Sequence, residues 1–481
     1  MSSEEPQQAE AGRRVPWIGL VLLAALGAGG ITLVLRAPRD RFVPHVEVDA
    51  DEGPEVSASA SASAVVAPRC ERTAPSRSHR IAATATPRPA SPPPATSAEA
   101  STGAALGAAE LDEPEELNEP FAAETGRAVA LADGFAVGVR ADGPSGAEAS
   151  VVVFGADGTL RNALSLGRSR GDVPPPVVAA KNAGKASGWL AATLEPDAAA
   201  YSLRVLDDAR AVDAGGRALE LEQGRDESQA FDLASGPAVA IATWDDVTRD
   251  DKLGRAVSAV LAADGSKLIG KPRTLSGKGV DAEVPRVVPR EGGFVVAYIA
   301  RNSRAKTNAK GKDDGDDGRY AAERIEPSFV EVALLDEQGE VTSPPRAVTP
   351  PTGYVLAFDL AAGNDGSVRI VWRDDDTPSG AGGGKVELAI VSPSGAASSQ
   401  LVAKDDVGAG VPALLPGWLA VTDSRGRALL GPLADDGSLA AALLHEPAVG
   451  AGQPIAARGD TLLVATPIGT AIELVTVRCR R

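Results

Sequence analysis

Seven short apolar segments recur along the C-terminal three-quarters of the chain, each beginning near a small or turn residue and carrying an aromatic or bulky residue near one end. In chain order they are GFAVGV from Gly134, GWLAATL from Gly188, AVAIATW from Ala238, GFVVAYI from Gly293, GSVRIVW from Gly366, GWLAVT from Gly417 and DTLLVAT from Asp460. Each has the length and composition of a buried β-strand. Repetition with a period of about fifty residues is typical of solenoids and propellers.

Three further segments complete each repeat. An alternating strand that ends in a tight turn comes first, as in Val257–Gly265 (VSAVLAADG). A more polar strand follows, as in Arg273–Gly277, and then a short apolar piece with proline, as in Val284–Pro289. Four strands per repeat predict an all-β fold, a β-propeller of about seven four-stranded blades, with six or eight as alternatives. A pair of β-sandwiches is the competing architecture, but it does not explain one repeated strand order.

The last repeat, from Gln453, contains only about three strands. A strand from the segment before Ala128 is therefore expected to complete it and close the ring. The chain has two cysteines, Cys70 and Cys479, which would lie near that seam. They are a candidate disulfide, and two unrelated free thiols are the alternative.

The chain divides into four parts: a tail at 1–16, a transmembrane helix at 17–35, a linker at 36–122 and the repeat domain at 123–481. Residues 17–35 contain no charge and approach the length that a membrane-spanning helix needs. Residues 36–122 are rich in Ala, Ser and Pro and are expected to be disordered. Arginines flank the helix almost evenly. The domain-sized C-terminal part favours a cytoplasmic N-terminus, a single-pass membrane protein and an extracytoplasmic repeat domain.

Composition excludes several classes of function. Lys and Arg number 48 against 65 Asp and Glu, a net charge of -17, so nucleic acid is not an expected partner. The three histidines, His45, His79 and His445, are scattered, so no metal site, cofactor or catalytic set is predicted. The string Gly167–Gly171 has the Gly-x-Ser-x-Gly spacing but lacks the strand-to-helix context of a hydrolase.

Acidic segments follow three of the apolar strands, and we expect them to form loops on one face of the propeller. In any propeller the loops between the second and third strands share a face, and such loops commonly carry binding function. The candidate partner-binding residues are Asp245, Asp246, Asp250, Asp251, Asp313, Asp314, Asp316, Asp317, Asp374, Asp375 and Asp376. Solvated loops without a ligand are the alternative.

In these repeats the chain resembles the uncharacterised membrane-anchored or secreted propeller-like proteins of myxobacteria and similar high-G+C bacteria. The resemblance covers residues 126–481. The chain lacks the Gly-His and Trp-Asp pairs of WD repeats, the Gly-Gly doublets of kelch repeats and the Ser-x-Asp-x-Gly box of sialidases. The resemblance therefore implies a fold and an envelope location, and no site residues.

Three functions remain open at this point. The leading expectation is a non-enzymatic, membrane-tethered propeller that acts as a protein-interaction or scaffold module in the bacterial cell envelope. The second is a propeller hydrolase or lyase with carboxylates at the central channel, which paired carboxylates of raised pKa would support. The third is a purely structural envelope spacer.

Overall fold

The computed structural model describes residues 69–72, 79–81 and 123–480. The last range has gaps at 144–145, 170–172, 182–187, 197–200, 209–218, 224–229, 248–252, 303–325, 364, 376–383, 405–406, 409, 451 and 469–470. No helix within these ranges is long and apolar enough to cross a membrane. The helix predicted at 17–35 lies outside the described residues.

The strands form seven sheets, which follow one another along the chain. The first three sheets are β3 (Glu124–Leu131), β4 (Gly134–Gly143), β5 (Gly146–Gly155) and β6 (Leu160–Arg168); β7 (Val177–Ala180), β8 (Trp189–Pro196), β9 (Tyr201–Asp207) and β10 (Leu219–Gln223); and β11 (Phe231–Ser235), β12 (Val239–Val247), β13 (Gly254–Ala262) and β14 (Leu268–Thr274).

The next three sheets are β15 (Val280–Arg290), β16 (Gly293–Asn302), β17 (Ser328–Leu335) and β18 (Val341–Ala347); β19 (Val355–Ala362), β20 (Val368–Asp375), β21 (Gly384–Val391) and β22 (Ala397–Ala403); and β23 (Ala413–Leu415), β24 (Trp418–Thr422), β25 (Ala428–Pro432) and β26 (Leu444–His445). The seventh sheet contains β27 (Gln453–Arg458), β28 (Thr461–Ile468), β29 (Ala471–Arg480), β1 (Arg69–Arg72) and β2 (His79–Ile81). We number these sheets blades 1 to 7.

The predicted seven-bladed β-propeller is confirmed. Each blade is an antiparallel meander whose first strand is innermost, and a buried hydrophobic cluster fills each of the seven gaps between neighbouring blades. One of these clusters joins blade 7 to blade 1, so the ring is closed. Two sandwiches would not give this cyclic series of interfaces, because each sandwich has one core between two sheets.

The predicted closing strand is also confirmed. Both β1 and β2 pair with the outer edge of β29, so the segment before blade 1 supplies the fourth strand of blade 7 in two pieces. Cys70 lies directly opposite Cys479 in this register, and the two form a disulfide. Two parts of the predicted linker therefore belong to the propeller.

The tryptophans of the apolar strands are packing residues. Trp189, Trp244, Trp372 and Trp418 are each at most 3% exposed, and each belongs to a cluster between two blades. Trp418 also donates its indole N–H to the carbonyl of Gly459 in the next blade, at 3.3 Å. Large rings therefore hold neighbouring blades together.

Candidate functional site

The inner strands of the seven blades surround a cavity on the propeller axis. Its volume is about 1110 Å³, and residues from β3, β7, β11, β15, β19, β23 and β27 line it. An inner strand pairs on one side only, so its other edge faces the axis with backbone N–H and C=O groups that need partners. Charged side chains supply several of these partners.

Blades 3, 4 and 5 place a row of alternating charges at one level of the axis. Asp232 is paired with Thr243, Arg286 with Ala297 and Asp359 with Val371 in the antiparallel registers. Each of these second-strand residues immediately precedes an aromatic side chain: Trp244, Tyr298 and Trp372. The three charged residues therefore occupy the same position in consecutive blades.

Each aspartate of this row binds the backbone of the following blade. A carboxylate oxygen of Asp232 accepts the N–H of Val287 at 2.8 Å, and one of Asp359 accepts the N–H of Leu414 at 2.9 Å. Both contacts join one inner strand to the next. They satisfy edge groups that would otherwise lack partners near the axis.

Arg127 crosses the axis from blade 1. Its guanidinium donates to Asp232 Oδ2 at 2.6 Å, to the carbonyl of Val287 at 3.1 Å and to the carbonyl of Leu360 at 3.2 Å. One side chain thus ties blade 1 to blades 3, 4 and 5. Burial acts to lower the pKa of Arg127, but attraction to Asp232 and Asp359 outweighs it and raises the pKa above its ordinary value.

A bulge in β3 explains how Arg127 reaches the axis. The pairing of β3 with β4 skips residues between Thr125 and Ala128, so Gly126 and Arg127 stand outside the regular register. A Cβ on Gly126 would lie 2.0 Å from the carbonyl oxygen of Pro176, so only glycine fits there. Bulges re-aim side chains out of a sheet, and this one turns Arg127 into the cavity.

Asp359 is a buried carboxyl of the axial site whose pKa is raised. Burial raises its pKa above the ordinary value, although the charges of Arg127 and Arg286 and the N–H groups of Leu414 and Leu360 act in the opposite direction. A buried carboxyl with a raised pKa beside two arginines is a common feature of functional sites, and also of structural ion-pair networks.

Arg286 follows a strained part of β15. Val284 has a φ of 52°, which is rare for a β-branched residue, and it lies in a bulge between Glu283 and Arg286. The backbone N–H of Val284 donates to Asp245 Oδ2 at 3.3 Å. Strain of this kind persists only where surrounding contacts hold it, so Asp245 helps to position Arg286.

Asp374 has a comparable role in blade 5. Its Oδ1 accepts the N–H of Tyr354 at 2.9 Å, just before β19, which carries Asp359. Its Oδ2 lies 3.5 Å from Lys385 Nζ, the residue opposite in β21. Two of the aspartates predicted as partner-binding residues therefore support the inner strands of the axial site.

The structure places four of the predicted aspartates within strands and not in loops. Asp245 and Asp246 are the seventh and eighth residues of β12, and Asp246 is paired in register with Arg255. Asp374 and Asp375 end β20, where Asp375 forms a buried ion pair with Arg373. These four residues lie in strands because the antiparallel pairing of β12 with β13 and of β20 with β21 continues up to them. The other predicted residues lie outside the described residues: Asp250, Asp251, Asp313, Asp314, Asp316, Asp317 and Asp376.

The strand ends that flank the three acidic or mixed-charge segments nevertheless lie toward the same face. The gaps at 248–252, 303–325 and 376–383 join the second and third strands of blades 3, 4 and 5. Each inner strand begins at the end of the blade where the second strand finishes, as the pairing of Val280 with Asn302 illustrates. The strand ends beside these three gaps and the N-terminal ends of the inner strands therefore lie toward one face.

The sequence contained a signal for the axial site that the strand patterns concealed. The triplet Phe-Asp-Leu occurs at Phe231–Leu233 and again at Phe358–Leu360, on the inner strands of blades 3 and 5. A charged residue at the centre of an apolar inner strand is unusual, because such strands are buried among neighbouring blades. Within the described residues, no group of three His, Cys, Asp or Glu is arranged to hold a metal ion.

Solved structures similar to this chain differ greatly from it in sequence. The β-propeller domain of the Trilobed protease from Pyrococcus furiosus is 9% identical, with a TM-score of 0.42 over 76% of this chain and 96% of that domain. Polysaccharide lyase Uly1 is 9% identical, with a TM-score of 0.46 over 75% of this chain and 90% of that one.

The acylaminoacyl peptidase of Pyrococcus horikoshii is 10% identical, with a TM-score of 0.42 over 76% of this chain and 53% of that enzyme, so this chain spans about half of its length. No protein-family model and no curated protein matches the chain. At these identities the likeness concerns the fold alone.

Proposed function

We propose that this protein is a non-enzymatic binding module that takes a ligand in the axial cavity of its propeller. The observation that carries the proposal is the cavity of about 1110 Å³ whose wall holds both apolar side chains and the charged residues Arg286 and Asp359. Concave sites of this size, mostly apolar with a few convergent polar groups, are the usual form of small-molecule sites. The closed ring supports a rigid, preorganised wall.

A matched pair of proteins tests the cavity. Ala413 occupies in blade 6 the position of Arg286, because the residue after each donates its backbone N–H to an axial aspartate. Ala413→Phe should therefore extend a ring toward the axis. We expect hexanol, hexanoate or hexylamine to bind the native chain in ligand-observed NMR and to lose binding in Ala413→Phe. Failure of all three probes to bind the native chain at millimolar concentration would contradict the function.

The location that we propose is the cell envelope, with the propeller outside the cytoplasmic membrane and held by one N-terminal helix. The disulfide between Cys70 and Cys479 supports this, because such bonds persist in oxidising compartments. The uncharged stretch at 17–35 supports the anchor. Protease added to intact cells or spheroplasts should digest the propeller. A propeller that becomes accessible only after lysis would contradict the orientation.

We further propose that the face bearing the three acidic or mixed-charge connections contacts a protein partner. The support is that these segments leave consecutive blades on one side. Replacing 303–325 or 376–383 by a four-residue Gly-Ser linker deletes the charged connection and leaves Asp374 and the paired strands intact, so both variants should fold. Cross-linking in intact cells should lose the same partner in both deletions, and an unchanged cross-linking pattern would contradict this role.

A hydrolase or lyase acting through Asp359 is the second candidate. The raised pKa of this buried carboxyl favours it, since a protonated carboxyl can act as a general acid. Turnover of glycoside or uronate substrates that is abolished by Asp359→Asn, with ligand binding retained, would favour catalysis over binding.

A further inference from the structure

We propose that the axial cavity selects a ligand with one carboxylate on an apolar body, and that Arg286 is the residue that binds the carboxylate. This inference rests on the proposed binding function and adds the chemical class of the ligand. It is carried by the charge of the cavity wall, by the unequal bonding of its arginines and by the apolar strands around them.

The cavity wall is basic in a strongly acidic protein. The whole chain has a net charge of -17, whereas the described residues that line the cavity include five arginines and three acidic residues. The arginines are Arg127, Arg286, Arg290, Arg369 and Arg458. A concave site with walls of one sign attracts ligands of the opposite sign, so the wall favours an anion.

Arg286 has bonding capacity that Arg127 lacks. Arg127 already donates to Asp232 and to two backbone carbonyls. Arg286 Nε is buried without a hydrogen-bond partner among the described residues, as are Arg290 Nε and Arg369 Nε. Of these three, Arg286 is the one that interacts with the buried Asp359 through charge. A buried donor without an acceptor costs free energy, and a ligand oxygen would remove that cost. The guanidinium fork fits a carboxylate in two parallel bonds.

The surroundings favour a carboxylate over a phosphate. Asp359 stands near Arg286, so a doubly charged phosphate would meet repulsion that a singly charged carboxylate meets less. The remaining wall is largely Ala, Val, Leu and Pro, including the partly exposed Val129 and Val411, and suits an alkyl or ring-bearing body.

Calorimetry on the full chain with hexanoate, hexanol, hexylamine and inorganic phosphate tests the inference. Hexanoate should bind at least tenfold more tightly than each of the other three. Arg286→Met should reduce hexanoate affinity about tenfold, to the level of hexanol. Arg273→Met is the matched control, because Arg273 lies on the outer strand β14 and pairs with Glu340. It should leave all four affinities unchanged.

Asp359→Asn keeps the test informative if Arg286→Met fails to fold. The amide removes a negative charge that competes for Arg286, so hexanoate should bind as tightly as in the native chain or more tightly. Equal binding of hexanoate and hexanol, or weaker hexanoate binding in Asp359→Asn, would overturn the carboxylate inference while leaving a binding cavity. Hexylamine or phosphate as the preferred probe would overturn it as well.

Discussion

Blades 3 and 5 each place a Phe-Asp-Leu triplet on the inner strand, with Phe231 opposite Trp244 and Phe358 opposite Trp372. Both aspartates accept a backbone N–H from the next blade. They differ in charge environment. Asp232 is fully buried and bonded to Arg127 at 2.6 Å, whereas no hydrogen bond joins Asp359 to a charged side chain among the described contacts, and burial raises its pKa.

The difference shows how one sequence element can serve two purposes. The backbone bond to the next blade is a requirement of the propeller, because inner edges need partners. The direct arginine bond makes Asp232 a structural tie. Without such a bond Asp359 keeps a carboxyl that can gain or lose a proton, beside Arg286 and the cavity. The position of each aspartate in its inner strand determines its backbone contact. The presence or absence of a hydrogen bond from Arg127 of blade 1 determines its electrostatic role.

The largest expected effect follows from removing the partner that distinguishes the two aspartates. Arg127→Met leaves the charge of Asp232 buried and unpaired, and we expect a loss of about 3–5 kcal/mol in the free energy of unfolding. Urea denaturation of the purified, oxidised protein measures it. Arg273→Met, which breaks an exposed pair, should cost less than about 1 kcal/mol. Equal losses of unfolding free energy in the two variants would show that Arg127 does not hold the blades together.

A paired substitution sharpens the comparison at the aspartates themselves. Asp232→Asn can still accept the N–H of Val287 but loses the ion pair with Arg127. We expect it to cost about 1.5–3 kcal/mol, as charge-assisted hydrogen bonds do. Asp359→Asn should not cost stability at neutral pH, because it replaces a carboxyl whose ionised form is disfavoured by burial. Thermal unfolding of both variants checks the difference, which a similar loss in each would contradict.

The two phenylalanines should behave alike where the aspartates do not. Phe231 is 5% and Phe358 is 2% exposed, and each packs between two blades. Phe→Leu conserves most of the volume at either position, so each should cost about 1 kcal/mol. Denaturation midpoints of Phe231→Leu and Phe358→Leu give the comparison. A large difference between them would place the asymmetry of blades 3 and 5 in packing rather than in charge.

The fold was predictable to a greater extent than the axial site. The alternation of apolar and polar residues, the tight turns and the repeat period predicted the four-stranded blades. The last repeat has only three strands of its own and so indicated a closing strand, which β1 and β2 provide. The charged row was missed because Asp232, Arg286 and Asp359 are far apart in sequence and meet only when the ring closes. Asp245 and Asp374 were interpreted as loop residues, since acidic residues near a turn indicate solvent exposure until strand register is known.

The smallest expected effect concerns the pH dependence of Asp359, and it tests the comparison most directly. Its pKa in the folded protein is raised by burial, with Arg127 and Arg286 acting against that rise from β3 and β15. The folded state therefore binds this proton more readily than the unfolded state. Its unfavourable contribution is full above the folded pKa and disappears as the pH falls to the unfolded value, about 3.9. Stability of the native protein relative to Asp359→Asn should thus improve steadily as the pH is lowered through that window. Denaturation curves of both proteins between neutral pH and about pH 4 measure the trend, and a constant difference would mean that Asp359 does not change protonation on folding.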